Sequence, residues 1–352
     1  MSAETATAPP TPGNRGAQAR LSLSWRSIRR WEAALIVVLG ATLAFGAAES
    51  STFLTKTTVF YAGLDIGQIA IMALPLTLIV ITGEIDLSVA AMLGLACSVF
   101  GYAFAHGVPV YAAMMLALAV GATGGALNGF LVTRLGLPSI AVTIGTLTMF
   151  RGIAEVVLGQ SEATGFPTSL ITIGVSPIPG TQLAYTFGLF LVLAAAFAVV
   201  LHHTPLGRSL YAIGLNSQAA FFSGIRVTRI KFALYVLSGV ICAAVGILYA
   251  LQNDAARFDA GSGLELNVVA VVLFAGVSIF GGRGTIVGVV LSVLVVGAFQ
   301  VALTQINVSA EEQNIVFGGL LLVSVLVPNA AAGYRRIRTR WRRRRGRPAT
   351  PP

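Results

Sequence analysis

Ten stretches of mostly apolar residues, each near the length needed to cross a bilayer, limit what this chain can fold into. They occupy 31–48, 61–82, 87–105, 110–132, 138–158, 183–201, 232–251, 268–280, 285–303 and 315–327. A spanning helix needs about 20 apolar residues at 1.5 Å each. Only 10% of the residues are charged, against roughly 25% in soluble domains. The 39 glycines suit helices packed closely in lipid. The expected fold is an all-α polytopic membrane protein with about ten transmembrane helices. Pro75 is expected to break the second span, and the eighth is short. The polar, Gly/Pro-rich stretch 160–182 leaves open whether the chain crosses, re-enters or stays outside there.

Charge placement orients the spans. With both termini cytoplasmic, all but Lys56, Arg151 and Arg257 of the 23 Lys and Arg residues fall on the inner side. Nine or eleven spans would put the arm or the tail on the wrong side. Residues 1–24 read as a disordered cytoplasmic arm, 25–332 as the transmembrane domain and 333–352 as a basic tail. Trp25 and Trp31 suit the interface. The net charge of +10 invites a nucleic-acid reading. Nine of the arginines, however, lie within 335–347, just past the last span. That placement points to anionic lipid as the partner and to no nucleic acid. The outer loops carry Asp254, Asp259, Glu265, Glu311 and Glu312, a face for a partner outside the membrane.

Chemistry is sparse. Lys56 and Lys231 are the two lysines, and neither stands in a phosphate-cradling loop. Gly281-Gly282-Arg283-Gly284 reads as a tight turn. Cys97 and Cys242 lie in apolar runs, and His106, His202 and His203 lie at segment ends, without ligand spacing. Thr143, Thr146 and Thr148 suit helix packing better than nucleophilic attack. The chain is therefore expected to be no enzyme. Asp65, Glu84, Asp86 and Glu155 are the carboxylates an ion-coupled carrier would use, which keeps that alternative open. Asp86 is placed to cap the helix after it, and Glu155, four residues past Arg151, is expected to pair with that arginine.

The polar stretch 204–231 divides the chain. Leu206, Leu210, Ile213 and Leu215 give part of an apolar stripe, with Arg208 and Tyr211 pointing elsewhere. Asn216 is expected to cap a second short helix over 217–222, ended by Gly224. Such helices fit a socket on another protein or lie on the bilayer surface. Gly214, Ala219, Ala220 and Gly224 favour close protein contact. There is also a faint internal echo. Residues 83–88 and 263–267 each precede a small-residue helix, as related half-helix breaks or as two coincidental glycine-rich starts.

Four segments carry a resemblance: LPLTLIVITGEIDLSVAAMLGL (74–95), ALNGFLVTRLGLPSIAVTIGTLTMFRG (126–152), GRSLYAIGLNSQAAFFSGI (207–225) and GSGLELNVVAVVLFAGVSIFGGRGTIVGVVL (261–291). The chain resembles permease subunits of bacterial ABC importers for monosaccharides, the group of ribose, rhamnose and autoinducer-2 permeases. The rhamnose and autoinducer-2 branches are most similar.

The resemblance implies a multi-pass protein of the bacterial cytoplasmic membrane, paired with a second permease copy or homologue. It also implies a cytoplasmic ATPase subunit that uses ATP and Mg, a periplasmic sugar-binding protein, and no cofactor on this chain. Gly207, Arg208, Tyr211, Gly214, Asn216, Ala219, Ala220 and Gly224 would form the ATPase-coupling loop. Asp86, Asn128, Thr143, Arg151, Gln252, Glu265, Asn267 and Gln300 would line the substrate path. The sequence departs from the family pattern at Glu84 and Ala275, where glycine is usual, and at Asn267, where aspartate is usual.

Overall fold

A computed structural model describes residues 13–309 together with 312, 313, 315, 316, 318, 319 and 322, with side chains from Trp31 onward. The Pro-rich start, Trp25's side chain, most of the tenth expected span and the basic tail lie outside the described residues. Seven helices are long and apolar enough to cross a membrane. They are α1 (Gly13–Glu49), α2 (Lys56–Ile81), α4 (Val110–Thr133), α5 (Ser139–Leu158), α7 (Tyr185–His203), α10 (Val227–Asn253) and α12 (Ile286–Gln305). Two shorter apolar helices, α3 (Val89–Ala105) and α11 (Leu264–Phe274), follow non-helical backbone. The chain is an all-α polytopic membrane protein.

Several boundaries differ from the sequence reading. Helix α1 takes in residues 13–24, assigned above to the arm; past Pro12 that stretch has no proline to interrupt it. Helix α2 runs unbroken through Pro75, because neighbouring helices support a backbone that proline has deprived of one hydrogen bond. Helix α11 stops at Phe274 rather than continuing to 280, turning at Gly276 with φ +85°. The 160–182 stretch holds a two-residue strand, β1 (Ala163–Thr164), and α6 (Thr168–Val175). At about 12 Å, α6 is too short to span.

Helix α2 is the axis. It is hydrophobic all round and 94% buried over its most apolar window, packed by α7, α10, α11 and α12. Helix α1, by contrast, buries 17% of its window and lies against α12. It is pinned where Trp31 Nε1 donates to Phe274 O (2.9 Å) and Thr285 Oγ1 to Glu32 Oε1 (2.7 Å). Strand β1 pairs antiparallel with β2 (Ala255–Ala256), so the loop after α5 and the loop after α10 are joined. Phe166 stacks on Phe100 beneath them.

The tightest seam joins α4 to α10. Gly121 and Gly125 face Gly239 so closely that a Cβ on Gly239 would lie 2.1 Å from Gly121 O. Helices pair in lipid largely through such van der Waals contact. Gly239→Val should therefore separate the seam at a cost of about 1–3 kcal/mol or more. Gly145→Ala, whose Cβ meets nothing within 4 Å, should be neutral or slightly stabilising. Thermal unfolding of the two variants in detergent checks the contrast.

Candidate functional site

The polar side chains inside the bundle gather at two interruptions of its helices. The first follows α2. Residues 84–88 are non-helical, and Asp86 lies beside Ser238, eleven residues and about 16 Å into α10. Ser88 N and Oγ donate to Asp86 Oδ1 (3.0 and 2.6 Å), and Ser238 Oγ lies 3.4 Å from Oδ2. Asn128 Nδ2 donates to Ser88 Oγ (2.8 Å). Ile85 N donates to Ser139 Oγ (3.2 Å), and Thr143 Oγ1 lies 3.4 Å from Ile85 O. Asp86, Asn128 and Thr143 thus belong to one network. The cap expected of Asp86 reaches the N-cap residue Ser88 itself. Asp86, Asn128 and Thr143 are each at most 3% exposed.

The second interruption precedes α11. Arg151, about two-thirds of the way along α5, donates through Nη1 to Ala260 O (2.6 Å), which ties the loop after α10 to that helix. Its Nη2 stands 3.8 Å from Glu265 Oε2, and neither atom has a hydrogen-bond partner. The ion pair expected between Arg151 and Glu155 is not made. Glu155 faces outward and accepts from Gln160 Nε2, because Arg151 turns to the inner side, where Gly94 leaves room for its guanidinium.

The remaining expected path residues lie apart. Gln252 accepts from Gln68 Nε2 (2.9 Å). Asn267 and Gln300 share a shallow groove with Ile69 and Phe274. The eight residues therefore form four clusters. Asp254, Asp259 and Glu265 are also taken up internally, by Phe166 N, Arg257 and Arg151 respectively. Asp65 lies on an exposed face of α2.

The 204–231 loop folds as two helices. In α8 (Pro205–Leu215), capped by Thr204, the buried face is Gly207, Leu210 and Ile213. Leu206 and Leu215 are 40% and 66% exposed, so the stripe is narrower than the apolar residues suggest. In α9 (Ser217–Phe222), Asn216 Oδ1 accepts from Ala219 N (2.9 Å), and the helix ends at Gly224 with φ +83°. Arg208 and Ala219 are exposed and Ala220 is buried.

Helix α8 touches the first interruption and the turn before α12 together. A Cβ on Gly214 would lie 1.9 Å from Ile81 O and 2.3 Å from Gly282 N. Gly282 N donates to Ile81 O (2.8 Å), and Tyr211 Oη donates to Gly284 O (2.7 Å). Burial pushes the Tyr211 phenol up to about 12, so it remains a donor at neutral pH. Gly83 (φ +85°) and Gly281 (φ +77°) complete a junction of four glycines from three segments. Beside it Lys231 Nζ meets Glu84 Oε1 at 2.5 Å. Sequence reasoning noted Glu84 as a departure and Lys231 as a positive-inside charge, but nothing local joins them. Ser88, Ser139, Ser238 and Gln68 were also missed, since single hydroxyls and amides in apolar runs look alike until their partners are known.

The Glu84 and Lys231 side chains are 19% and 12% exposed, between surface pairs worth under about 1 kcal/mol and buried ones whose disruption costs about 3–5. Lys231→Gln should destabilise the chain by about 1–3 kcal/mol. Glu84→Gln on top of it should return part of that loss. A double-mutant cycle on thermal unfolding reads the coupling directly.

The comparisons with known proteins agree with this architecture. The family model described as branched-chain amino acid transport system / permease component matches residues 58–325. The autoinducer 2 import system permease protein LsrD of Yersinia enterocolitica is 33% identical over 322 residues, 90% of this chain and 96% of its own length. The proteins of that name from Yersinia pseudotuberculosis and Photorhabdus temperata are 32% and 30% identical, over 91% and 90% of this chain and 97% and 96% of their own lengths. No solved structure matches the chain. This multi-pass membrane protein is a non-catalytic transport subunit, and it belongs to the family of permease components of the branched-chain amino acid transport system.

Proposed function

We propose that the chain is the pore-forming permease of an ATP-driven ABC importer, carrying a monosaccharide or small polyol across the bacterial inner membrane. The relatives' name favours an autoinducer-2-like cargo over rhamnose or ribose. The observation that carries the reading is the glycine junction. One short loop helix, α8, sits against both the break after α2 and the turn before α12. A push on that loop from outside the membrane is thereby transmitted to two elements of the bundle at once.

The motor is a separate cytoplasmic ATPase that uses ATP and Mg. Its docking surface is α8–α9, where Leu215, Phe221 and Phe222 are 66%, 63% and 85% exposed. Both termini are cytoplasmic on this reading. A periplasmic binding protein delivers the cargo, and a second permease, identical or homologous, completes the pore. Arg151, Glu265, Gln252, Asn267 and Gln300 meet the cargo, while Asp86, Asn128 and Thr143 hold the first break behind them.

Reconstitution tests this. The chain is placed in proteoliposomes alone, and then with its ATPase, partner permease and binding protein. Uptake of labelled autoinducer-2, rhamnose and ribose is measured in each case. Uptake that needs every component and ATP is expected. Uptake by the chain alone, driven by an ion gradient and indifferent to ATP, would make it a secondary carrier instead. In the assembled system Gly214→Val should lower ATP-driven uptake at least tenfold, since its side chain must displace backbone atoms of Ile81 and Gly282. Arg208→Ala, on the exposed face of α8, should change ATPase docking without altering the fold.

A further inference from the structure

Asp86 combines deep burial with the absence of a counter-charge. It is 3% exposed. Among the described residues, no Lys, Arg or His nitrogen lies within 4.0 Å of its carboxylate. Lys231, near the same break, is held by Glu84. Its partners are neutral dipoles: the amide and hydroxyl of Ser88 and the hydroxyl of Ser238. An uncompensated carboxylate inside a membrane protein is among the least favourable groups to bury.

A second observation is independent of the charge. Asn128 is 1% exposed, and its Oδ1 has no hydrogen-bond partner. Its orientation follows from the bonding. Ser88 Oγ spends its proton on Asp86, so it must accept from the Asn128 NH₂ group, which turns Oδ1 the other way. Asp86, Asn128, Ser88 and Ser238 line a small cavity between α3, α4 and α10, with room for about one water-sized particle. Every polar atom offered to it by these side chains, apart from the spent amide, is an oxygen.

We propose that this cavity is a binding site for one sodium ion, held by Asp86 Oδ2, Asn128 Oδ1 and Ser238 Oγ. The charge and the donors select the ion class. One carboxylate with hydroxyl and amide oxygens neutralises a monovalent hard cation and leaves a divalent one with excess charge. No cluster of three His, Cys, Asp or Glu that could hold a metal exists among the described residues. Spacing supports a small ion. Sodium has nearly the radius of calcium, whose oxygen ligands stand at about 2.3–2.6 Å. Two such ligands at right angles are about 3.4 Å apart, the separation of Asp86 Oδ2 and Ser238 Oγ. The ion pins the start of α3 to α4 and α10, so its role is structural and does not depend on the chain being a permease.

The test uses the full chain in detergent, with NaCl exchanged against choline chloride at constant ionic strength and thermal unfolding as the readout. Expected is a saturable rise in Tm, on the order of 3 °C, with a weaker response to KCl. Asp86→Asn should abolish the rise. Ser238→Ala, a milder change, should shift its midpoint to higher sodium. A wild-type Tm that does not respond to sodium would overturn the proposal, and a Tm that instead rises with falling pH would show that a proton neutralises Asp86. Equal responses to sodium and potassium, or a sodium response surviving in Asp86→Asn, would also overturn it.

Discussion

The backbone between Ile81 and Ser88 has to be satisfied without water. In an apolar interior each open amide or carbonyl costs several kcal/mol, which is why irregular backbone survives there only when protein groups close it. Here two of the partners come from elsewhere in the chain and one from the segment itself. Gly282 N closes Ile81 O, Ser139 Oγ receives Ile85 N, and the Asp86 carboxylate receives Ser88 N. Each of these fixes something larger. The Ser139 bond sets the start of α5. The Gly282 bond sets the turn before α12 and, with it, the surface on which α8 rests. The break is therefore the point from which several helices take their positions.

The two interruptions are closed by different forces. The first is stitched by hydroxyls and amides in one connected network, and such networks rigidify when nearly every member is satisfied. The second is held by charges. Arg151 reaches Ala260 O, Arg257 bonds both Asp259 and Glu162, and Glu265 faces Arg151 at 3.8 Å with both nearest atoms unpartnered. The break beside the loop helices is thus closed by neutral hydrogen bonds, and the one before α11 by charged groups.

The spans were legible because hydrophobic length is a strong local signal. So were the Asn216 cap and the Gly281–Gly284 turn, which rest on single residues with strong conformational preferences. What failed had a common cause. The spacing of Arg151 and Glu155 permits a pair on an isolated helix, but packing against α3 turned the arginine inward and left the glutamate out. The α8 stripe was drawn too wide because Leu210 and Ile213 share their buried face with Gly207, which approaches another backbone closely and carries no hydrophobic signal, while Leu206 and Leu215 are exposed. Pro75 did not break α2 because a helix buried on all sides is held by its neighbours more than by its own hydrogen bonds.

Glu84 shows how a departure from a family pattern acquires a physical meaning. Residues 84–88 are non-helical, and Glu84 and Asp86 both reach α10. Their partners on α10, Lys231 and Ser238, are seven residues apart, about two helical turns, and therefore on one face. The segment thus lies along α10, clasped at Glu84 by an ion pair and at Asp86 by a hydroxyl. The backbone of Ile85, between them, is met from α5 by Ser139 and Thr143. A glycine at 84 would leave the first clasp out and leave Lys231 without its carboxylate. The unusual glutamate and the lysine are two halves of one contact. That contact binds the first turns of α10, which emerge directly from the loop helices, to the break on which α3 depends.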